Sequence, residues 1–353
     1  MTRVYVGMSG GVDSSVTAAL LKAEGYDVTG IYMKNWATDL PGFVCPWVDD
    51  VADAKRVAVQ LNIPFKVFDF QKEYKQHVVD YMVAEYQAGR TPNPDIMCNQ
   101  EIKFNLFLKT ALEDGADKIA TGHYARVGQY QSHPALLAGK DQHKDQSYFL
   151  YRITEEALSK TLFPIGELTK PQVRAKAAEL ALATAYKKDS QGICFVGKVG
   201  IKDFLQQYVQ TRPGNIVDKH TGKTLGQHDG AIFYTLGQRH GLQVGGGLPY
   251  YVVGKDMAKN EVYVTTNLND ENLWRTDLVL TQPHWIHAAP NQGETYQVRT
   301  RHRAKLINAT VTHVDQSQLT IHLQNPDRAI TPGQSAVLYD GERVVGGGIV
   351  VAP

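Results

Sequence analysis

The chain has 353 residues, of which 43% are hydrophobic and 21% charged, and its formal net charge is +1. This composition is that of a soluble globular protein and excludes a disordered chain. No apolar run approaches the roughly 18 residues that span a bilayer, and 3 cysteines are too few for a disulfide framework. We therefore expect a cytoplasmic protein of two or three domains without a membrane partner.

Strand-like and helix-like segments alternate along the first half of the chain. Strands are predicted at 3–8, 26–33, 63–70 and 117–122. Helices are predicted from Val12 to the stop at Gly25, at 47–61 and at 169–182. Strands separated by helices of this length predict a doubly wound parallel sheet with helices on both faces. Ligands of such sheets bind at the carboxyl ends of the strands.

The composition changes after about Tyr208, where glycine becomes frequent and helical periodicity ends. Short strands separated by turn residues continue to the end of the chain, which is typical of a small antiparallel barrel or sandwich. We therefore predict an α/β domain at 1–207, a small β-rich central domain at 208–273 and a β-barrel at 274–353.

A glycine-rich string, "GMSGGVDSS" at 7–15, directly follows the first predicted strand. Gly10 and Gly11 allow backbone N–H groups to approach an anion at the start of a helix. The spacing and the missing lysine do not fit the P-loop of γ-phosphoryl-transfer ATPases. Asp13 could help to hold Mg²⁺ on a polyphosphate, whereas the alternative is an ordinary serine-capped helix. The string resembles the PP-loop of the ATP pyrophosphatase superfamily, whose members cleave ATP between the α and β phosphates and adenylate a substrate oxygen.

Cys98 stands in a proline-rich segment at 89–104 that we interpret as an ordered loop ahead of a helix beginning near Glu101. A thiolate is favoured near the start of a helix. Asp95, three residues earlier, could exchange a proton beside the thiol. Without further context, a buried and inert cysteine remains the alternative.

The other two cysteines differ in their surroundings. Cys194 follows Lys187, Lys188 and a flexible glycine, and nearby cations also favour a thiolate. An inert place in the apolar run "ICFV" remains the alternative for Cys194. Cys45 is interpreted as structural. The absence of a C-x-x-C pattern predicts no zinc ribbon, no iron–sulfur cluster and no resident metal.

A set of motifs extends the resemblance beyond the first loop and covers essentially the whole chain. In chain order they read "GMSGGVDSS", "TPNPDIMCN", "ATGHYA", "KDQSYFL", "DSQGICFVG", "YTLGQRHGL" and "PGQSAVLY". Their order and spacing resemble the tRNA-specific 2-thiouridylase family, bacterial enzymes that place sulfur on the wobble uridine of tRNA.

The resemblance implies a reaction in two stages. The position-2 carbonyl oxygen of uridine 34 attacks the α phosphate of ATP, which gives an adenylated base and pyrophosphate. A persulfide on Cys194 then supplies sulfur and AMP leaves. Cys98 is the nucleophile that helps to release the product, which leaves a transient Cys98–Cys194 disulfide, and Asp95 is the acid or base near the uridine.

The resemblance also implies which residues bind the substrates. Those expected to contact ATP and its Mg²⁺ are Gly7, Met8, Ser9, Gly10, Gly11, Val12, Asp13, Ser14, Met33 and Gly122. Those expected to contact the target base are Asn93, Pro94 and Asp95, and those expected to contact other parts of tRNA are His123, Lys144, Asp145, Gln146, Arg301, His302 and Gln334. The implied partners are tRNAs for Lys, Glu and Gln and a cysteine desulfurase or sulfur-relay protein, with the enzyme a monomer.

Four cations alternate near the end of the chain, at Arg299, Arg301, Arg303 and Lys305. On a strand they would share one face, which suits either an RNA phosphate backbone or a solvated edge strand. Two other functions stay open. Another PP-loop synthetase acting on a small substrate would not need both Cys98 and Cys194, and a non-catalytic tRNA-binding protein would not use ATP.

Overall fold

The computed structural model describes residues 1–39, 45, 47–189, 200–242, 244, 245 and 247–351. Cys194 lies outside the described residues. The described strands are β1 (Arg3–Gly7), β2 (Asp27–Lys34), β3 (Phe65–Asp69), β4 (Lys118–Thr121), β5 (Ala125–Tyr130), β6 (His133–Ala138), β7 (Thr161–Leu162), β8 (Gly214–Asp218), β9 (Thr224–His228), β10 (Tyr251–Asp256), β11 (Glu261–Thr265), β12 (Trp274–Trp285), β13 (Thr295–Arg299), β14 (Ile307–Val314), β15 (Gln318–Arg328), β16 (Ser335–Asp340) and β17 (Arg343–Val350).

The described helices separate and follow the strands of the first half. They are α1 (Val12–Ala23), α2 (Trp47–Gln60), α3 (Gln71–Tyr74), α4 (Asp80–Gln87), α5 (Pro94–Met97), α6 (Leu108–Glu113), α7 (Glu155–Ser159), α8 (Lys170–Glu179) and α9 (Ile201–Leu205). Two π-helical stretches, Lys75–Val79 and Cys98–Phe107, join α3 to α4 and α5 to α6. No helix within these described ranges is both long and apolar enough to cross a membrane.

The first half forms the predicted parallel sheet, in the order β3-β2-β1-β4-β7. Alternate residues of its strands enter two separate cores, as the period of a strand requires. Tyr5 and Ile31 pack with the helices of the 71–113 region, whereas Val4 and Val6 pack with α1, α2 and α8. The doubly wound prediction is confirmed. The strand order reverses between β1 and β4, so the loops after these strands diverge and leave a crevice.

The predicted helix start near Glu101 is wrong. The helix begins at Pro94, and Cys98 lies inside it rather than in a loop. Proline has no N–H to donate and its φ suits the first helical position, so the residue that we interpreted as a loop element starts the helix. Asn93 precedes it and accepts a hydrogen bond from the backbone N–H of Ile96 at 3.4 Å.

The second half contains the two predicted β-rich parts. Strands β10-β11-β8-β9 form a small sheet over a core that includes Ile216, Val252 and Val262. Strands β12-β15-β14-β13-β16-β17 follow one another, and β17 also pairs with β12, which closes an antiparallel barrel. Closure removes the unpaired sheet edges. The hairpin β5–β6 of the first half joins this barrel beside β17.

The predicted alternation of cations along one strand is wrong. β13 ends at Arg299, and the chain then turns, with the N–H of Ala304 donating to the carbonyl of Arg301 at 3.0 Å. Arg303 has a positive φ of 63°, which no strand residue adopts. Arg299 points inward to Asp145, at 2.9 Å, so the regular spacing of charges does not produce a common face.

Candidate functional site

The residues expected to bind ATP meet at the carboxyl ends of β1, β2 and β4. A Cβ added to Gly7 would lie 2.9 Å from Cε of Met33, so the ends of β1 and β2 touch. A Cβ added to Gly122 would lie 2.8 Å from the backbone nitrogen of Ser14, so the end of β4 lies against the start of α1. Glycine at 122 is required because this approach leaves no room for a side chain.

The conformation of the loop between β1 and α1 requires glycine. Gly10 has a φ of 74°, and a Cβ there would overlap the carbonyl oxygen of Asp50. Gly11 is the N-cap of α1 and contributes no side-chain bond to the first turn. Ser14 donates its hydroxyl to the carbonyl of Gly11 at 3.2 Å. Because the N-terminus of a helix carries partial positive charge, this loop can accept the phosphates of a nucleotide.

A lysine reaches the loop from the start of α8, a residue that our sequence reasoning missed. The Nζ of Lys170 lies 2.8 Å from both carboxylate oxygens of Asp13, and only 12% of its side chain is exposed. Tyr124 donates its hydroxyl to Asp13 at 2.8 Å. Burial, with the charge of Asp13, raises the pKa of Tyr124 far above its usual range, so this hydroxyl stays a donor. The loop thus has a cation, supplied from elsewhere in the fold.

The same lysine belongs to a charged network around Asp189. Asp189 receives bonds from Lys170 at 2.8 Å, from Lys144 at 2.9 Å and from Arg174 at 2.5 Å. Burial alone would raise the pKa of Asp189, but the bonds from Lys170 and Lys144 hold that pKa far below its usual range. Lys144, expected to contact tRNA, is therefore linked to the lysine at the nucleotide loop.

The helix that carries Cys98 is fixed from outside the first domain. The side-chain amide of Gln334, in the barrel, donates to the carbonyls of Thr91 and Pro92 at 2.8 and 3.2 Å. The hydroxyl of Thr91 also lies 3.1 Å from that of Thr235, in the central part of the chain. The segment leading to Asn93 is thus held by both β-rich regions, and Gln334 acts on the backbone in this conformation.

Cys98 itself is 1% exposed and packs within the apolar core that includes Ile102 and Phe104. Asp95 is half-buried, three residues earlier on the same helix, and this spacing puts both on one face. A π-helical stretch begins at Cys98, a distortion frequent at functional sites. The thiol can reach a substrate only after the packing around it opens.

His123 lies at the end of β4 and is buried between aromatic rings. Its ring centre is 5.7 Å from that of Phe104 and 6.1 Å from that of Phe163, and its Nδ1 lies 2.7 Å from the hydroxyl of Thr121. Burial lowers the pKa of His123 well below its usual value, so the imidazole is neutral. His123 thereby connects the core around Cys98 to Gly122 at the nucleotide loop.

Other expected tRNA contacts have internal partners. Asp145 is 4% exposed and accepts from the N–H groups of Gly139 and Ser147 as well as from Arg299. Gln146 accepts from the backbone N–H of Tyr124 at 3.0 Å. These two side chains support the turn that follows β6.

The two expected contacts on the 300–305 turn differ in exposure. His302 stacks on Phe149 at 4.4 Å, and burial, with Arg303 and Arg299 nearby, lowers its pKa to about 4. Arg301 is exposed and donates to the carbonyl of Arg328 at 2.9 Å. Arg301 is thus accessible to a polyanion, whereas His302 presents a neutral ring.

Three family models match the chain. They are described as tRNA methyl transferase HUP domain, over residues 2–198, tRNA methyl transferase PRC-barrel domain, over 202–266, and aminomethyltransferase beta-barrel domain, over 275–350.

Curated relatives match over nearly the full length. A protein of Bacillus mycoides is 48% identical over 352 residues, which cover 99% of this chain and 94% of the relative. A protein of Bacillus cytotoxicus is 47% identical over 351 residues, with the same coverage. Both relatives are named tRNA-specific 2-thiouridylase MnmA.

Solved structures are more distant. A 4-thiouridine synthetase–RNA complex with bound ATP is 19% identical, with a TM-score of 0.37, over 58% of this chain and 50% of that chain. An NMN synthetase from Francisella tularensis is 16% identical, with a TM-score of 0.34, over 54% of this chain and 66% of that chain.

Proposed function

The chain belongs to the tRNA-specific 2-thiouridylase family, and from that membership we propose that it is an ATP-dependent tRNA-uridine 2-sulfurtransferase. Its products would be 2-thiouridine at the wobble position, AMP and pyrophosphate. The observation that carries the proposal is the meeting of a glycine-rich loop, Asp13 and Lys170 at the carboxyl ends of β1 and β4, beside the helix of Cys98.

In the first stage, ATP would enter as its magnesium complex. The N-terminus of α1 and the ammonium of Lys170 would bind the phosphates that leave as pyrophosphate. Asp13, whose carboxylate Lys170 and Tyr124 hold beside the loop, is the residue that we expect to face the metal. Carboxylate oxygens suit Mg²⁺. Preorganised positive charge at the leaving group lowers the barrier to adenylation of the uridine oxygen.

In the second stage, sulfur would pass from Cys194 to the base. The terminal sulfur of a Cys194 persulfide attacks carbon 2 of the adenylated uridine, and AMP leaves with the former carbonyl oxygen. The Cys98 thiolate then attacks the Sγ of Cys194 and breaks the sulfur–sulfur bond. The transferred sulfur remains on carbon 2 of the base, which is now 2-thiouridine. The two cysteines form a disulfide that an external thiol must reduce.

Asp95 would exchange the proton with the base, and Asn93 and Pro94 would position the helix start beside it. The N-cap bond of Asn93 and the bonds of Gln334 to residues 91 and 92 support this role, because both fix the segment. The tRNA itself would contact His123, Lys144, Asp145, Gln146, Arg301 and His302, whereas Gln334 would position the segment before the Cys98 helix. Arg301 is the exposed cation of this set and fits a phosphate.

We further infer that tRNAs for Lys, Glu and Gln are the substrates, that a cysteine desulfurase or a sulfur-relay protein is the donor, and that the enzyme is a cytoplasmic monomer. The division at 1–207, 208–273 and 274–353 also remains a proposal.

The test is mass spectrometry of the wobble nucleoside after reaction with tRNA, ATP and a sulfur donor. Cys98→Ala and Cys194→Ala are each expected to abolish 2-thiouridine while tRNA binding persists. Cys45→Ala is the matched control, because Cys45 is also buried and its thiol donates to the carbonyl of Trp36 at 3.7 Å, and it should retain activity. Full thiolation by either active-site variant would rule out the two-cysteine mechanism, and lack of any ATP-dependent pyrophosphate release would favour a non-catalytic binder.

A further inference from the structure

Two histidines and a glutamate from separate elements meet at the junction between the first domain and the barrel. His133 is the first residue of β6, Glu155 the first of α7, and His287 follows β12. The Nδ1 atoms of the histidines lie 2.7 and 3.0 Å from the two different carboxylate oxygens of Glu155. One ligand atom from each residue lies within 4.8 Å of the others, and no other such group occurs among the described residues.

The backbone holds each of these residues in place. The turn before His133 contains Gln131 and Ser132, both with positive φ, at 48° and 69°. Thr154 caps α7 by accepting from the N–H of Ala157 at 3.1 Å, which fixes the position of Glu155. The N–H of Ile286, next to His287, donates to a carbonyl of β17 at 3.1 Å. The backbone of the described residues therefore positions all three side chains of the cluster.

The arrangement differs from the ordinary histidine–carboxylate pairs of the barrel. His322 faces Asp277 at 2.8 Å, and His313 faces Asp315 at 3.0 Å, each one imidazole on one carboxylate. Here two imidazoles, with ring centres 4.0 Å apart, share one carboxylate. Two protonated rings so close would repel each other, whereas a single bound cation would satisfy both nitrogens and the carboxylate.

We propose that His133, Glu155 and His287 are the ligands of a Zn²⁺ site. The bound ion would join the β5–β6 hairpin and α7 to the barrel. Two imidazoles and one carboxylate are a donor set that Zn²⁺ uses in proteins. Ligand atoms about 2.1 Å from a tetrahedral Zn²⁺ lie roughly 3.4 Å apart. The observed separations of 2.7 and 3.0 Å need to widen by less than 1 Å to admit the ion.

The surrounding charges are compatible with a cation. Each carboxylate oxygen of Glu155 faces one imidazole nitrogen. Arg343 lines the same small cavity as the two histidines. Its charge is matched by Asp340 at 2.9 Å, and its guanidinium stacks on Tyr130 at 3.7 Å. The fourth coordination position would be filled by water.

Calorimetric titration with Zn²⁺ tests the site, with all cysteines retained because thiols also bind zinc. The wild type should bind one more equivalent of Zn²⁺ than either His133→Ala or His287→Ala. Glu155→Gln keeps the size of the side chain but loses the charge, and should weaken this equivalent at least tenfold. His322→Ala, which removes a histidine of a simple pair, should bind as the wild type does.

A thermal melt gives a second readout that does not depend on activity. An ion that binds only the folded chain raises the melting temperature. Zn²⁺ should raise it more for the wild type and His322→Ala than for His133→Ala or His287→Ala. The melt of each variant without metal verifies that it folds. Folding is expected to persist because the substituted side chains are only partly buried. Equal stoichiometry and equal shifts in all the proteins would overturn the proposal.

Discussion

The nucleotide loop and the helix of Cys98 adjoin each other but have opposite environments. The loop is bordered by charges, with Lys170 in contact with both Asp13 and Asp189. The thiol of Cys98 lies in an apolar core and is 1% exposed. The charged groups beside the loop are already in position to bind a phosphate. The Cys98 thiol is enclosed by apolar side chains, which must move before it can react. The comparison indicates that the proposed adenylation site is preformed and that the proposed sulfur-transfer site must open before Cys98 can react.

The largest effect is expected from removing the cation at the loop. Lys170→Met should lower tRNA-dependent pyrophosphate release by about 100- to 1000-fold, because one preorganised charge at the leaving group is lost. Lys176→Met, on the same helix, is the matched control and should stay close to the wild type. Pyrophosphate release can be followed with a coupled phosphate assay. If both variants release pyrophosphate at the same rate, the loop does not depend on Lys170. The inference that the adenylation site is preformed would then be wrong.

The next effect concerns the access to Cys98. In the protein without substrates, alkylation of Cys98 should be roughly 100-fold slower than in the urea-unfolded chain, because it requires local opening. Addition of tRNA and ATP should accelerate it. Peptide mass spectrometry after timed exposure to iodoacetamide separates Cys98 from Cys45, which is also buried and serves as the internal control. A fast reaction without substrates would mean that the thiol is already accessible.

The parallel sheet could be predicted because each strand and helix is encoded locally. Apolar residues at helical or alternating spacing reveal α1 and β1 within their own sequence. The nucleotide loop follows from the same segment. Lys170 could not be found in this way, since it lies 157 residues from Asp13 and nothing around it marks a phosphate ligand.

The failures arose where one local pattern permits two structures. Proline interrupts a helix but also starts one, and the N-cap bond of Asn93 decides between them at Pro94. Alternating cations after Arg299 resemble a strand, yet the ion pair with Asp145 and the turn at Arg303 end it. At Pro94 the deciding bond is local, whereas at Arg299 a contact distant in sequence determines the outcome. The meeting of His133, Glu155 and His287 went unpredicted because these residues are also distant in sequence.

A smaller effect is expected from Gln334, which binds the segment that leads into the Cys98 helix. Gln334→Ala removes two bonds to the backbone at residues 91 and 92, each worth about 1 kcal/mol. We expect about a tenfold lower kcat for thiolation with the tRNA Kd unchanged, because the lost contacts position the helix. Gln318→Ala, another barrel glutamine, is the control. A raised Kd with unchanged kcat would instead identify Gln334 as a direct tRNA contact.

The smallest effect follows from the pKa of His302, which burial, with Arg303 and Arg299, lowers to about 4. Unfolded histidine has a pKa of about 6.5, so between these values the unfolded chain binds more protons and the free energy of unfolding falls as the pH is lowered. His302→Phe keeps a ring to stack on Phe149 and removes this loss. When the pH is lowered from 7 to 5, the free energy of unfolding of His302→Phe should fall by about 1 kcal/mol less than that of the wild type, after allowance for partial solvent screening. Urea titrations at the two pH values measure this difference, with His313→Phe as an exposed control. If the pH dependence of His302→Phe matches that of the wild type, the imidazole is not held neutral, and the 300–305 turn would present a positive ring beside Arg301 to the tRNA.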